Sequence, residues 1–245
     1  MVPLLGRSDP LPPPESALLD PNGLLAAGGG LSVARLVDAY SCGVFPWFSD
    51  GDPVLWWCPD PRLILPTGAV HVSRSLGRRL SRNDYRVTFD AAFGAVMRAC
   101  AEPRADDQGT WISDEMVAAY EALHAAGWAH SLEVWRDDAL VGGIYGVAIG
   151  AAFFGESMFS RMTDGSKIAI VWLAAQLERW GVPFIDCQVR SEHLVRMGAI
   201  EVRRREFLRR LSPLVTGPAP SVWRLDTDLR PWPRPGGGTV LEDAR

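Results

Sequence analysis

Two apolar segments of this chain carry polar side chains that an ordinary buried strand would exclude. One is Ile185-Asp186-Cys187-Gln188-Val189, and about thirty residues before it stands Gly155-Glu156-Ser157-Met158-Phe159-Ser160. Burying an unpartnered polar group costs about 2–7 kcal/mol, so such groups are usually either partnered or used in function. Side chains at i and i+2 of a strand share a face, which predicts that Asp186 and Gln188 lie together. An amide is a poor general base, so a positioning role suits Gln188 better than proton abstraction, and a structural Asp–Gln hydrogen bond is the alternative.

The neighbouring thiol and imidazole offer a second possible constellation. Cys187 is expected on the opposite face of the strand, which favours a core thiol over a nucleophile. A Cys187–His193 dyad is conceivable and is the less favoured alternative. The four cysteines lie far apart and match neither a CxxC metal motif nor a disulfide framework. They are expected to be reduced thiols of a cytoplasmic protein.

The length and composition allow one large domain or two small ones. The chain has 245 residues, and 47 % of them are hydrophobic, which is ample for a core. No run of about 18 apolar residues predicts a membrane span. The segment from Met1 to Pro14 lacks the charged start and the apolar stretch of a secretion signal. The prediction is therefore a cytoplasmic protein with a substantial core.

The charge distribution is more informative than the net charge of −4. One basic segment, from His71 to Arg82, contains no acidic residue, and a second runs from Arg203 to Arg210. The arginines of the first segment are Arg74, Arg78, Arg79 and Arg82. Such patches fit a nucleic-acid backbone, and a solvated helix face is the alternative for either of them.

The sequence pattern predicts a small N-terminal unit that ends at Pro59-Asp60-Pro61. Ser32 is a plausible N-cap for a helix from Val33 to about Ser41, whose apolar residues recur at helical spacing. Proline fixes φ and removes a backbone donor, so the Pro-Asp-Pro segment is expected to be a domain edge.

Beyond this edge, strands and helices follow one another as expected of a mixed α+β domain. The predicted strands run from Arg62 to Pro66, Tyr85 to Phe89, His130 to Arg136, Leu140 to Ile149, Ala151 to Phe154, Phe184 to Val189 and Glu201 to Arg205. The predicted helices run from Ala91 to Cys100, Ser113 to Ala126, Lys167 to Trp180 with Ser166 as the cap, and Glu192 to Met197. From Pro213 onward, proline and glycine dominate and predict a loosely ordered tail.

Eight short motifs stand in order along most of the chain. They are Gly43-Val44-Phe45-Pro46-Trp47-Phe48, Leu55-Trp56-Trp57, Pro59-Asp60-Pro61-Arg62, Gly109-Thr110-Trp111-Ile112, His130-Ser131-Leu132-Glu133-Val134-Trp135, Leu140-Val141-Gly142-Gly143, and the two polar segments described first. Together they resemble the leucyl/phenylalanyl-tRNA–protein transferases, bacterial enzymes that add Leu or Phe to protein N-termini. Each motif is weak by itself, and the ordered set is specific.

The resemblance implies an α+β fold with two domains. A small N-terminal domain would occupy residues 1–61, and a C-terminal domain of N-acetyltransferase-like fold, with a mixed sheet flanked by helices, residues 62–212. A Pro/Gly-rich C-terminal segment would follow over 213–245. Two departures from the family pattern, at Gly30 and at Arg196-Met197, bear on local packing or tRNA contacts.

The resemblance also implies a reaction. Leu, Phe or Met would move from the ester of aminoacyl-tRNA to the α-amine of proteins that begin with Arg or Lys, a step that marks them for degradation through the N-end rule pathway. The donor ester is already activated, so no cofactor or metal is expected. The partners would be aminoacyl-tRNA and the acceptor protein, in the cytoplasm.

The resemblance assigns roles to individual residues. Asp186 and Gln188 are the implied catalytic pair, with Asp186 orienting Gln188 and Gln188 contacting the amine or relaying its proton. The implied substrate-binding residues are Glu156, Trp47, Trp111, Met158, Phe154, Ser160 and Tyr120. Glu156 would bind the cationic side chain of the acceptor or else cap a turn, and Trp47 and Trp111 would stack on the terminal adenine. Both basic segments would bind the phosphates of the acceptor stem, and the residues named for this role are Arg74, Arg78, Arg79 and Arg82.

Two other functions stay open at this stage. A coenzyme-A-dependent N-acetyltransferase of the same fold is one, although Arg161 to Lys167 lacks the paired spacing of a pyrophosphate-binding loop. A non-catalytic module that binds tRNA or protein N-termini is the other. The intact Asp186 and Gln188 argue against it.

Overall fold

A computed structural model describes residues 2–82, 84–102 and 112–232. Over these ranges the chain forms a mixed α/β structure with seven α-helices and two β-sheets, one of four strands and one of seven. None of the helices in the described ranges combines the length and the apolar character that crossing a bilayer requires.

The N-terminal unit is built on the four-stranded sheet. Its strands, in the spatial order β1-β2-β4-β3, are β1 (Leu4–Leu5), β2 (Leu24–Gly28), β3 (Phe45–Pro46) and β4 (Leu55–Trp57). Helix α1 (Val33–Ser41) lies between β2 and β3, and the Ser32 Oγ atom accepts the Arg35 N–H at 3.2 Å. The predicted helix and its N-cap are confirmed. A serine at this position satisfies one of the free N–H donors of the first helical turn.

The seven-stranded sheet begins directly after the Pro-Asp-Pro segment. Its strands are β5 (Arg62–Pro66), β6 (Arg86–Phe89), β7 (Ala129–Arg136), β8 (Ala139–Ile149), β9 (Ala152–Ser160), β10 (Phe184–Gln188) and β11 (Ile200–Val202). Their spatial order is β11-β5-β10-β9-β8-β7-β6. Only the β9–β10 pair is parallel, and the other pairs of this sheet are antiparallel.

Helices cover both faces of this sheet. They are α2 (Arg74–Leu80), α3 (Phe93–Ala101), α4 (Asp114–Ala125), α5 (Gly165–Arg179), α6 (Glu192–Arg196) and α7 (Arg204–Val215). One core joins a face of the sheet to the N-terminal unit and includes Trp56, Tyr120 and Phe154. The other core lies under α5 and α2 and includes Phe153 and Ile170. Phe153 and Phe154 enter opposite cores because side chains alternate along a strand.

The structure differs from the sequence prediction in its last third. The predicted strand from Glu201 to Arg205 ends at Val202, and α7 begins at Arg204 because Phe207 and Leu211, four residues apart, bury one helix face. Helix α5 begins at Gly165 without a side-chain cap, so Ser166 is not its N-cap.

The prediction of a loosely ordered tail is wrong for residues 213–232. Pro213 lies inside α7, and Leu229 is buried. The ring of Trp223 stacks on that of His130 with centroids 3.7 Å apart. Proline-rich composition removes backbone donors, but it does not prevent isolated apolar side chains from packing on a folded surface.

Candidate active site

The site lies where the parallel strands β9 and β10 stop pairing. Their register runs only through Phe153–Ile185 and Phe154–Asp186. On β9, Glu156 is an extra residue between the pairs that Gly155 and Ser157 form with β8. On β10, the register against β5 also shifts between Asp186 and Gln188. Such irregularities re-aim side chains, and here they bring the polar groups of both strands together.

Asp186 anchors this site through a buried ion pair with Arg62. The Arg62 Nε and Nη2 atoms donate to the two carboxylate oxygens at 2.8 and 2.6 Å, and the two residues are 0 % and 1 % exposed. The Arg62 guanidinium also lies over the rings of Phe45 and Phe207, at 4.8 and 4.5 Å from their centroids. Burial opposes the charge on Arg62, but the Asp186 carboxylate outweighs it, and the pKa of Arg62 is raised.

Gln188 is held in an unusual backbone conformation by the same carboxylate. Its φ is +58°, in the left-handed region that non-glycine residues seldom adopt. The Gln188 N–H donates to Asp186 Oδ1 at 3.1 Å, so Asp186 fixes the backbone of Gln188, not its amide group. The Gln188 Nε2 atom donates to Glu156 Oε1 at 2.9 Å. The Asp186 side chain thus reaches Arg62 and the Gln188 side chain reaches Glu156.

Glu156 connects this network to two tyrosines. Its Oε2 atom accepts the Tyr120 hydroxyl at 3.0 Å, and the Tyr120 hydroxyl is also hydrogen-bonded to that of Tyr40. Burial of the carboxylate raises the pKa of Glu156 to about 7, and the negative Asp186 adds to this rise, while the tyrosines and Arg62 oppose it. Glu156 is partly buried as a residue, and each of its two carboxylate oxygens accepts a hydrogen bond within the network.

Arg62 and Tyr40 are the members of this network that sequence reasoning did not assign to the site. Arg62 was recognisable only as the charged first residue of an apolar strand, a position where burial demands a partner. Tyr40 fitted the apolar face of α1 and gave no further signal. The partners of both residues come from segments more than 75 positions away, which spacing cannot reveal.

The Cys187 side chain has the surroundings of a core residue. Burial raises the pKa of the Cys187 thiol, which bonds to the Ile185 carbonyl, as expected of a core thiol. Burial, with Lys167 and Arg196 nearby, lowers the pKa of His193.

Elsewhere in the described ranges, Asp90, His124 and His130 come close enough to hold a metal ion. The Nδ1 atoms of the two histidines already face Ala129 O and Asp90 Oδ2, each at 2.7 Å. These contacts account for the group as a hydrogen-bonded network.

The predicted substrate residues of β9 fall in different environments. Met158 and Ser160 line a cleft of about 540 Å³ together with Ser191 and His193. The Ser160 Oγ atom donates to Met162 O at 2.7 Å and accepts the Ser166 N–H at 3.3 Å, so this hydroxyl orders the start of α5. Phe154 is fully buried, with no surface open to a substrate in this conformation.

Comparison with known proteins agrees with these features. A family model described as "Leucyl/phenylalanyl-tRNA protein transferase" matches residues 64–212, and a model for the N-terminal domain of the same family matches residues 29–60. The chain belongs to the leucyl/phenylalanyl-tRNA protein transferase family. The resemblance inferred from the eight motifs is confirmed.

Curated relatives of the family are similar over almost the whole chain. A "Leucyl/phenylalanyl-tRNA--protein transferase" of Nitrosomonas europaea is 57 % identical over 214 residues, which cover 87 % of this chain and 91 % of the relative. A protein of the same name from Nitrosomonas eutropha is 53 % identical over 235 residues, covering 96 % and 99 %. Among solved structures, L-PGS from Bacillus licheniformis covers 65 % of this chain and 51 % of its own at 10 % identity and a TM-score of 0.36, which is too low to carry an argument.

Of the two tryptophans predicted to stack on an adenine, the structure describes Trp47. Trp47 is 44 % exposed, and its ring packs beside that of Trp57 with centroids 5.8 Å apart. Trp56 is fully buried and bonds to the Gly28 carbonyl, so only one residue of the Trp56-Trp57 pair lies near the surface. Trp111 lies outside the described residues.

The arginines predicted to bind tRNA in this family lie on or beside α2. Arg74, Arg78 and Arg82 are exposed, whereas Arg79 pairs with Asp84. Arg78 and Arg82 line two adjoining clefts, of about 760 and 820 Å³, and Arg74 lines the second of them.

The second basic segment is different, because much of it has structural partners. Arg204 is buried and donates to the Cys58 carbonyl at 2.8 Å, and Arg209 and Arg210 both pair with Glu206.

Proposed function

We propose that this protein transfers leucyl or phenylalanyl groups from aminoacyl-tRNA to the α-amine of an acceptor protein. The observation that carries the proposal is the polar network of Asp186, Gln188 and Glu156 at the divergence of β9 and β10, in a chain of this transferase family. We extend the proposal to methionine as a donor group and to acceptors that begin with Arg or Lys.

The reaction makes modest chemical demands. The donor is an ester, so its carbonyl is already activated, and the acceptor amine has to be neutral to attack it. The new C–N bond replaces the acyl C–O bond, and the proton lost by the amine goes to the ribose oxygen that leaves with the tRNA. An α-amine has a pKa of about 7.7–8.0, so part of it is neutral near pH 7.5 without a strong base. Alignment of the amine with the ester carbonyl then supplies much of the rate enhancement. As written, the reaction requires neither ATP nor a metal ion.

In this proposal Gln188 aligns the attacking amine. Its Nε2 atom is committed to Glu156, which leaves the carbonyl oxygen of the same amide to accept a hydrogen bond from the α-amine. The bidentate ion pair with Arg62 occupies Asp186 and makes it a support for the Gln188 backbone. A support of this kind holds the amide within a fraction of an ångström of the productive position.

Glu156 is proposed to select the acceptor. When ionised, it places a negative charge beside Gln188 in a poorly hydrated setting, where attraction to a cationic Arg or Lys side chain is stronger than in water.

The donor is proposed to occupy the cleft beside Met158 and the basic surface beyond it. An apolar pocket distinguishes side chains by only about 1–3 kcal/mol per methylene, so acceptance of Leu, Phe and Met together is expected. The exposed face of Trp47 is suited to stack on the terminal adenine. Arg74, Arg78 and Arg82 are suited to bind phosphates without reading sequence, which fits an enzyme that accepts several tRNAs.

The finer architecture and the compartment belong to the same proposal. A mixed sheet in which two parallel strands diverge beside the site supports an N-acetyltransferase-like arrangement for residues 62–212. A protein that consumes aminoacyl-tRNA and marks proteins for the N-end rule pathway would act in the cytoplasm.

The test is a transfer assay with matched acceptors. Purified protein is incubated with radiolabelled Leu-tRNA and two peptides that differ only in an N-terminal Arg or Ala. We expect label on the Arg peptide alone and its loss in Gln188→Gly, which removes the amide at a backbone conformation that glycine adopts freely. Asp186→Ala is a poorer test, since it also leaves the buried Arg62 without its ion-pair partner.

Other outcomes identify the competing functions. Tight tRNA binding without transfer to either peptide would leave a non-catalytic binding module. A rise in melting temperature with acetyl-CoA, together with acetylation of the Arg peptide, would indicate a coenzyme-A-dependent N-acetyltransferase. Equal labelling of both peptides would overturn the selection of Arg and Lys while leaving the transfer reaction intact.

A further inference from the structure

The part of the chain that follows α7 forms a strap along the large sheet. We call residues 217–232 the C-terminal strap. Trp223 packs against Phe89, His130 and Trp180, with centroid distances of 5.7, 3.7 and 5.1 Å. An aromatic side chain enclosed in this way buries a large area and fixes the strap at its centre.

Polar contacts hold the strap to α5 as well. The Asp226 N–H donates to Gln176 Oε1 at 2.8 Å, and Gln176 Nε2 donates back to Asp226 Oδ2 at 3.1 Å. Gln176 is fully buried, so this reciprocal pair satisfies an amide that would otherwise be costly to bury. Arg179 also pairs with Asp226 and Asp228. The strap is therefore attached to a rigid helix.

The strap ends against α2, the helix that carries the exposed arginines. The ring of Trp232 lies so close to Gly77 that a Cβ atom there would come within 2.9 Å of the ring. Glycine is among the poorest helix formers, and Gly77 stands in the middle of α2. The ring contact gives a packing reason for a glycine at this position.

The same ring borders the arginine surface. Trp232 lines the cleft of about 820 Å³ together with Arg74, Arg78 and Arg82. Among the described residues, no acidic side chain pairs with these three arginines, while Arg79 of the same helix is held by Asp84. The position of α2 thus sets where three free cationic groups point.

We propose that the C-terminal strap positions α2 for tRNA binding through the contact between Trp232 and Gly77. The proposal rests on the proposed function, because it takes tRNA as the ligand of the arginine surface. Trp232 is a positioning residue here: it orders the arginines, and the arginines contact the phosphates. The contact adds to the buried Leu76 and Leu80 in fixing the position of α2, and a helix that is already fixed lowers the cost of ordering its arginines on binding.

A double-mutant cycle in the full-length protein tests this contact. Gly77→Ala, Trp232→Ala and the double variant are compared with wild type for binding of uncharged leucine tRNA at several salt concentrations. Each single variant is expected to weaken binding roughly three- to tenfold, the scale of losing the alignment of one or two phosphate contacts, and to lower the salt slope by about 1–2. The double variant should bind no worse than Trp232→Ala, because the added methyl group then has no ring to meet.

Controls separate positioning from misfolding and from direct contact. Val222→Ala, at an exposed site of the strap, should leave binding and melting temperature unchanged. In the transfer assay, the KM for Leu-tRNA should rise in each single variant while kcat stays within about twofold. Additive losses in the double variant would indicate that Trp232 contacts the RNA directly, and unchanged binding in Trp232→Ala would dismiss a role for the strap; either result overturns the proposal. Failure of transfer with these binding effects intact would refute the proposed function alone.

Discussion

The buried network at the end of β10 and the exposed arginines of α2 use charge in opposite ways. Arg62 and Asp186 are almost fully enclosed and paired atom by atom, whereas Arg74, Arg78 and Arg82 stand in solvent. A buried ion has lost its hydration and depends on its partner, so removing either member is costly. An exposed arginine stays hydrated without a partner, so the loss of a neighbouring charge costs little stability. Its attraction to a phosphate is screened by salt. The buried pair therefore fixes the position of its groups, whereas the exposed arginines can adjust to different ligands.

This difference matches the two tasks that the proposed reaction sets. Aligning one amine with one ester carbonyl requires a group of fixed position, and the fixed backbone of Gln188 provides it. Holding the acceptor stems of several tRNAs requires contacts that ignore sequence, and free guanidinium groups provide those. Four variants probe the contrast, beginning with the largest expected effect.

Removing Asp186 should destabilise the whole protein. Asp186→Ala leaves the Arg62 charge buried without its partner, and we expect a loss of about 3–5 kcal/mol in the free energy of unfolding, measured by urea denaturation. A second variant that combines Arg62→Met with Asp186→Leu should regain most of this stability and none of the transfer activity.

The exposed Arg98–Glu121 pair is the matched control for this experiment. Its side chains are 67 % and 43 % exposed, and Glu121→Ala should change stability by less than about 1 kcal/mol. Equal losses at the buried and the exposed pair would contradict the contrast.

Neutralising Glu156 should change how stability depends on pH. The folded protein holds this carboxyl at a pKa of about 7, above the ordinary 4.5, so it favours the protonated form. The contribution of Glu156 to the free energy of unfolding is therefore complete below about pH 4.5 and is lost as the pH rises through 7. The total loss is about 3 kcal/mol, at about 1.4 kcal/mol per pKa unit.

Glu156→Gln removes this pH-dependent loss of stability, because glutamine does not ionise. Its free energy of unfolding should exceed that of wild type at pH 8.5 and match it at pH 4, as measured by urea denaturation at both values. Under the proposed function, the wild-type kcat/KM for the Arg peptide should rise with one apparent pKa near 7 from Glu156 and another of about 7.7–8.0 from the acceptor amine, and the variant should keep only the second. A wild-type stability that climbs between pH 4 and 8.5 relative to the variant would contradict the assignment.

Shortening Gln188 should affect the reaction much more than the fold. Asn tolerates the left-handed φ of +58° at this position, so Gln188→Asn keeps an amide but withdraws it by one methylene. A displacement of about 1 Å in a positioning group costs on the order of 100-fold in rate, and we expect this in kcat with leucine tRNA bound as before. A comparable loss of tRNA affinity would show that the effect is not local to the amine.

Removing one exposed arginine should give the smallest effect. Arg78→Ala is expected to weaken tRNA binding severalfold at low salt, to reduce the salt slope by about 0.9, and to leave the melting temperature unchanged. Binding isotherms at three salt concentrations measure it. Arg209→Ala, which removes an arginine already paired with Glu206, is the comparison, and an equal effect there would extend the RNA surface to α7.

Much of the architecture was accessible from the sequence because it depends on local patterns. Ser32 caps α1 as predicted, and apolar periodicity located β5, β6, β7, β8 and β10 to within one residue at either end. The prediction for β9 stopped at Phe154, since the polar residues beyond it interrupt the apolar run, and the strand continues to Ser160 through a bulge. Helix α7 was missed because its arginines obscured the spacing of Phe207 and Leu211.

The sequence by itself determined the family, the position of the polar residues at the strand ends, and the basic character of one helix. Each follows from residue order, composition or the direction in which neighbouring side chains point. Only the tertiary structure decided that Arg62 neutralises Asp186, that Glu156 is desolvated between Gln188 and Tyr120, and that Trp232 rests on Gly77. Those relations join segments far apart in the chain, and the desolvation that gives them their energy exists only when the chain is folded.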